Sequence, residues 1–136
     1  MVTLITGHKG SGKTKLLVER VNAAVHDSDG SVICIEQKRK LIYEIISKAR
    51  LIAADDYQIE GYDAFYGFLC GICAQDHDIT DVFVDATLRI GGRDYAALAV
   101  FLRKVAALET NITFTISADK SELPAEIFDF CEEIQF

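Results

Sequence analysis

Val2-Thr3-Leu4-Ile5-Thr6-Gly7-His8-Lys9-Gly10-Ser11-Gly12-Lys13-Thr14 decides how the rest of the chain is read. Its first five residues, each apolar or β-branched, read as a buried strand. Residues 7–14 fit the pattern G-x-x-x-x-G-K-[ST], in which each residue type has a reason for its place. Glycines let the backbone bend until successive N–H groups converge on a polyphosphate, in a hollow that side chains would fill. Lys13 can reach terminal phosphates, and the Thr14 hydroxyl can ligate the Mg²⁺ that travels with a nucleotide. Leu16, Leu17, Val21, Ala24 and Val25 then recur at helical spacing, and that helix points its positive end at the same anion. Strand, glycine loop and helix are the setting the pattern requires; the alternative is a glycine-rich turn that binds nothing. The candidate nucleotide-binding set is Gly7, His8, Lys9, Gly10, Ser11, Gly12, Lys13, Thr14 and Lys15.

Composition narrows the class. A chain of 136 residues, half of them hydrophobic and one of them proline, predicts one globular domain over residues 1–136 with a substantial core. The net charge of −7 argues against nucleic-acid binding driven by phosphate neutralisation. No apolar run reaches the roughly 18 residues of a membrane span. The first residues already belong to the strand and the glycine loop, which leaves no place for a signal peptide. Four cysteines without a secretory context fit a reducing cytoplasm.

Beyond the opening stretch, Val32-Ile33-Cys34-Ile35 reads as a parallel strand covered on both faces and ending in Glu36. Leu41, Ile42, Ile45, Ile46 and Ala49 have the spacing of a short amphipathic helix. Leu51-Ile52-Ala53 suits a brief edge strand. Asp63 is placed to cap a helix whose buried stripe is Phe65, Phe68, Leu69 and Ile72. Val82-Phe83-Val84 is the next strand, closed by Asp85. A loop holding Gly91-Gly92 leads to a helix with Tyr95, Leu98, Phe101, Leu102, Val105 and Leu108 on one side. Residues 111–117 form a further strand, in which Thr113 and Thr115 alternate with Ile112, Phe114 and Ile116 more than a central strand usually would. Ser121-Glu122-Leu123-Pro124 opens a short final helix, and residues 131–136 supply a last edge strand. Strands alternating with helices give a three-layer α/β/α sandwich with a mostly parallel sheet. Gly7, Glu36, Asp85 and Ser117 all fall just past the carboxyl end of a strand, the rim where open parallel sheets bind ligands.

Several residues on that rim suit phosphate chemistry. Asp85, at the end of an apolar strand, can hold Mg²⁺ through water or together with the Thr14 hydroxyl. Glu36 can polarise a water in line with a terminal phosphate, or it is a solvated strand-end acid paired with Lys38, Arg39 or Lys40. Arg89 and Arg93 flank Gly91-Gly92: a basic, glycine-hinged loop can move between nucleotide states or offer a transition-state arginine, and the alternative is a solvated turn with Asp94 capping the next helix. Lys38-Arg39-Lys40 could contact phosphate or an acidic partner, or simply start a solvated helix. Cys70-Gly71-Ile72-Cys73 with His77 could begin a zinc site, although cysteines on an apolar helix are more often small core residues.

Residues 7–14, the strands ending in Glu36, Asp85 and Ser117, and their alternation with helices resemble the RecA-like, additional-strand class of P-loop NTPases, reduced to a minimal stand-alone core. The resemblance covers nearly the whole chain as topology, while the glycine loop is its one specific motif. It implies the P-loop NTPase fold with strand order 3-2-4-5-1-6, the Ser117 strand lying between the P-loop and Asp85 strands. It implies ATP and Mg²⁺ as ligands, a glutamate base at the Glu36 position, and frequent assembly in which a neighbour supplies an arginine. Ala86 stands where many hydrolytic P-loop proteins carry a glutamate. There is no room for the DNA-binding and oligomerisation segments of recombinases. An N-K-x-D guanine-reading sequence is absent, although Ser117-Ala118-Asp119-Lys120 echoes a neighbouring GTPase loop, so ATP is favoured over GTP.

These readings make the chain a small cytoplasmic ATP-binding protein with slow Mg-dependent ATPase activity. Lys13, Glu36 and Arg93 are its candidate catalytic residues; Thr14 and Asp85 are its candidate metal ligands. The alternatives are a nucleotide-dependent switch or adaptor with little turnover, and a small-molecule kinase of the nucleoside type. Partners follow the same reading: a nucleotide, with a second copy or another protein, and no membrane.

Overall fold

A computed structural model describes residues 1–136. The strands are β1 (Val2–Thr6), β2 (Ser31–Glu36), β3 (Arg50–Ala53), β4 (Ile79–Val84), β5 (Asn111–Ile116) and β6 (Cys131–Gln135). The helices are α1 (Lys13–Asp27), α2 (Tyr62–Gln75), α3 (Thr87–Gly91) and α4 (Tyr95–Ala106). All six strands join one sheet in the order β3-β2-β4-β5-β1-β6, and every neighbouring pair runs parallel. The fold is therefore α/β with a parallel sheet, in the strand order that the RecA-like resemblance implies.

Strand periodicity builds the three layers, because successive side chains leave a strand on opposite faces. Leu4, Ile33, Ile35, Val82, Val84, Ile112 and Phe114 enter one core with Phe65 and Leu69 of α2 and Leu98, Phe101 and Leu102 of α4. Ile5, Val32, Cys34 and Phe83 enter the other, against Leu17 and Val21 of α1 and Leu41, Ile45 and Ala49. The larger core is keyed by aromatic packing: Phe65 stacks on Phe101 at 5.2 Å between centroids, and Phe114 meets Phe101 edge-on at 5.7 Å. Truncating such a ring costs about 3–5 kcal/mol.

Four expected features take a different form. Residues 41–49 are a succession of turns rather than an amphipathic helix. Leu41, Ile45 and Ala49 are buried as the spacing predicts, but Asn22 of α1 intercepts the helical hydrogen bonds. Its amide donates to the Glu44 carbonyl at 3.1 Å and accepts from the Ile46 N–H at 3.0 Å, groups that a continuing helix would use itself. The N-cap of α2 is Gly61 and not Asp63, which is the second residue of the helix and makes no capping bond. The final helix is two 3₁₀ turns, Lys120–Glu122 and Ala125–Asp129, interrupted at Pro124, which has no N–H to extend a ladder. The loop expected after Asp85 instead contains the short helix α3, with Leu88 and Ile90 buried.

Candidate functional site

The carboxyl ends of β1, β5, β4 and β2 open onto a cleft of about 390 Å³. The loop after β1 forms one end of it. Gly12, in the left-handed region at φ 102°, caps α1 without a side-chain hydrogen bond. The Ser11 N–H turns back to the His8 carbonyl at 3.2 Å, and the Gly7 N–H donates to the Ala118 carbonyl at 3.1 Å. In contrast, the amides of Lys9, Gly10, Gly12, Lys13, Thr14 and Lys15 make no hydrogen bond to protein acceptors. Such a row of unengaged N–H groups at the positive end of a 15-residue helix has the donors and the polarity that suit an oxyanion.

Lys13 lies beneath this loop, only 6% exposed. Its ammonium donates to the His8 carbonyl at 2.6 Å and reaches Ser11 Oγ at 3.4 Å. Burial lowers its pKa, while Asp85 and Asp119 pull the other way. A cation held partly desolvated next to a hollow gains more from an arriving anion than one already in water.

Asp85 reaches the cleft from the end of β4, where its N–H donates to the Ile35 carbonyl at 2.8 Å. The Thr14 hydroxyl donates toward both carboxylate oxygens, at 3.1 and 3.3 Å. Thr115, on β5, donates to Asp85 Oδ1 at 2.8 Å and accepts from the Ala86 N–H at 2.8 Å. The hydroxyl–carboxylate pair fits a hard divalent cation such as Mg²⁺, which takes one or two protein oxygens and completes its shell with phosphate and water. No group of three or more His, Cys, Asp or Glu side chains could hold a metal by protein ligands alone. That result also removes the zinc reading of Cys70, Cys73 and His77; Cys73 instead lies against Thr110, 3.6 Å between sulfur and hydroxyl.

Thr115 belongs to no motif that the sequence displays. Its signal was present in the alternation of threonines in a central strand, since a buried hydroxyl there needs a polar partner.

Other expected site residues lie outside the cleft. Glu36 is 3% exposed, and its carboxylate accepts from the Lys40 N–H at 2.9 Å and the Leu41 N–H at 3.3 Å. Burial raises its pKa against the pull of those two amides, and Asp85 adds to the rise. Glu36 thus braces the segment after β2, and neither it nor Arg93 lines the cleft. Arg93 is exposed, and its neighbour Asp94 caps α4 by accepting from the Ala96 and Ala97 amides. His8 is paired with Asp119 at 3.2 Å and faces a second hollow, of about 890 Å³, bounded also by Lys120, Phe128 and Phe136. Lys15 is exposed and does not line the cleft. Lys9, Gly10, Gly12, Lys13, Thr14, Asp85 and Ser117 are brought together on that wall, joined by Lys40 and Arg89.

No helix is long and apolar enough to cross a membrane. No protein-family model matches the chain, and no curated protein matches it. Among solved structures, the chain is similar to the flagellar accessory protein FlaH from Methanocaldococcus jannaschii, with a TM-score of 0.58 at 15% sequence identity. The match covers 94% of this chain and 65% of that protein, so the chain spans less than two thirds of the length of its structural neighbour. At this identity the likeness establishes a shared fold and nothing finer.

Proposed function

We propose that the chain binds ATP with Mg²⁺ and hydrolyses it slowly. One observation carries this reading: residues 9, 10 and 12–14, whose amides have no protein acceptor, line one cleft with the Lys13 side chain and the Thr14–Asp85 pair. Bound Mg-ATP supplies a terminal phosphorus open to attack by water. The loop amides and Lys13 hold its phosphates, Thr14 and Asp85 hold the metal, and Thr115 keeps Asp85 turned toward Thr14. ATP is preferred to GTP because the sequence has no guanine-reading N-K-x-D.

Slow turnover follows from the acids at hand. Asp85 is the only carboxylate on the cleft wall, and Ala86 offers no base. Glu36 is committed to two backbone amides and reaches a water only when the segment after β2 rearranges. The same commitment favours a second reading, a nucleotide-dependent switch in which that segment reports the bound state to a partner. Arg93, exposed and off its own cleft, is available to a neighbouring copy.

Calorimetric titration of Mg-ATP into the protein and into Lys13→Ala, with phosphate release and solution mass measured on the same samples, tests the proposal. The wild type gives saturable heat, and Lys13→Ala weakens binding by about tenfold or more, as loss of a charged hydrogen-bond donor should. Glu36→Gln keeps an acceptor for the Lys40 amide, so loss of turnover with binding retained assigns Glu36 as base. Absence of heat with the wild type overturns nucleotide binding. Tight binding without phosphate release, in every oligomeric state found, selects the switch.

A further inference from the structure

Two cations reach the cleft from outside the opening motif. Lys40 follows β2 and Arg89 lies in α3 after β4, and both line the cleft wall. The molecule's ion pairs are His8–Asp119, Arg39–Asp56 and Lys120–Glu133, so neither Lys40 nor Arg89 has a carboxylate partner. The contrast with Arg39 is informative. Adjacent in sequence to Lys40, it is neutralised by Asp56 at 2.8 Å, outside the cleft.

Polar contacts hold the two segments. The Glu36 carboxylate accepts from the Lys40 and Leu41 amides. The Gln37 amide nitrogen donates to the Arg89 carbonyl at 3.3 Å, and the Gln37 carbonyl accepts from the Asp55 N–H at 3.0 Å. The Ala86 N–H, at the root of α3, donates to Thr115. Burying a carboxylate is costly, and the two main-chain amides that offset the cost also fix the position of that segment.

Charge distribution points the same way. In a chain of net charge −7, Lys9, Lys13, Lys40 and Arg89 share a cleft with a single carboxylate, Asp85. Lys9 and Lys13 stand at its β1 end, and Lys40 and Arg89 at its β4–β2 end, separated by the end of β5. Cations at both ends of one cleft suit an anion longer than the loop after β1 can neutralise alone.

We propose that Lys40 and Arg89 form a second cationic clamp, supplied in cis, that engages the terminal phosphate and makes the site select nucleoside triphosphates over diphosphates, with Glu36 as the positioning residue for Lys40. This rests on the nucleotide-binding reading above. The first two phosphates lie on the loop amides and Lys13, and the third extends to Lys40 and Arg89.

The test is the ratio of Mg-ATP to Mg-ADP affinity, measured by titration calorimetry on wild type, Lys40→Ala, Arg89→Ala, the double variant, Glu36→Ala and Glu36→Gln. The wild type prefers ATP, and each single cation loss lowers ATP affinity about tenfold while leaving ADP affinity within a factor of two. In the double variant the ratio approaches one. Lys40→Arg retains the preference. Glu36→Ala lowers the ratio as Lys40→Ala does, and Glu36→Gln, which keeps an acceptor oxygen, restores most of it; a purely structural role would weaken both nucleotides equally. Lys40 and Arg89 are exposed, so their variants keep the test decisive even if Glu36→Ala unfolds. An unchanged ratio in a folded double variant, or parallel loss of ATP and ADP, overturns the clamp. A wild type that binds neither nucleotide overturns it together with the reading it rests on.

Discussion

The Thr115 hydroxyl is both donor and acceptor at the centre of the sheet, 3% exposed, between the Asp85 carboxylate and the Ala86 amide. Thr115→Val keeps the shape and removes both bonds, leaving two polar groups short of a partner. The expected loss is about 1–3 kcal/mol of folding free energy, read as a lower urea midpoint, with Thr115→Ser recovering most of it. Glu36 gives a pH dependence of definite sign. Its unfolded carboxyl titrates near 4.5, and burial raises the folded value above that. Above the unfolded pKa the folded chain therefore holds a proton that the unfolded chain has released. Its contribution to stability is fully present below 4.5 and is lost as pH rises through the raised folded value. Unfolding free energies measured across this window fall with pH in the wild type, and the fall is shallower in Glu36→Gln. Equal slopes in the two proteins would remove Glu36 as its source.

The strand–loop–helix at the start of the chain depends on where a side chain can be tolerated, which two glycines separate. Both adopt positive φ, Gly7 at 152° and Gly10 at 82°. A Cβ on Gly10 meets nothing within 4 Å, whereas one on Gly7 comes to 2.4 Å from the Phe136 carbonyl oxygen. Gly10→Ala then costs about 1–2 kcal/mol from backbone conformation alone. Gly7→Ala adds roughly 1–3 kcal/mol of overpacking and loosens the Phe136 N–H bond to the Thr6 carbonyl that extends the β1–β6 pairing. Thermal melts of the two variants should rank them in that order. The same division governs what could be read from sequence. β1, β2 and β4 announce themselves as short apolar runs, α4 by its helical spacing, and the glycine loop by its pattern of residue types. The segment 41–49 has helical spacing but yields its hydrogen bonds to Asn22, a side chain 22 residues before Glu44, and no window along the chain contains both. Glu36 reads as a candidate base for a different reason: its partners are close in sequence, but they are the main-chain amides of Lys40 and Leu41, whose direction no residue type reveals. Asp85 was legible from its place after an apolar strand; its fixation by Thr115 needed the pairing of β4 with β5.

At the scale of the whole molecule, an acidic protein is proposed to bind a polyanion, and the sign of the salt effect shows which field governs. Two unit charges about 15 Å apart in water interact by roughly 0.3 kcal/mol, whereas a contact at about 5 Å in an effective dielectric of 20 is worth roughly 3 kcal/mol. Near physiological ionic strength the Debye length is about 8 Å, so the exterior charge is largely screened while contacts within the cleft are screened less. Lys9, Lys13, Lys40 and Arg89 therefore outweigh the net charge of −7 at the place where phosphates would lie. Mg-ATP affinity is expected to weaken steadily as salt rises from about 0.05 M to 0.5 M, despite the like sign of protein and ligand. The Lys40→Ala/Arg89→Ala double variant should show a shallower slope, because fewer short-range attractions remain to be screened. Titrations at several salt concentrations, with free Mg²⁺ held constant, measure both slopes. An affinity that rises with salt would mean that the acidic exterior, and not the cleft, sets the approach of the nucleotide.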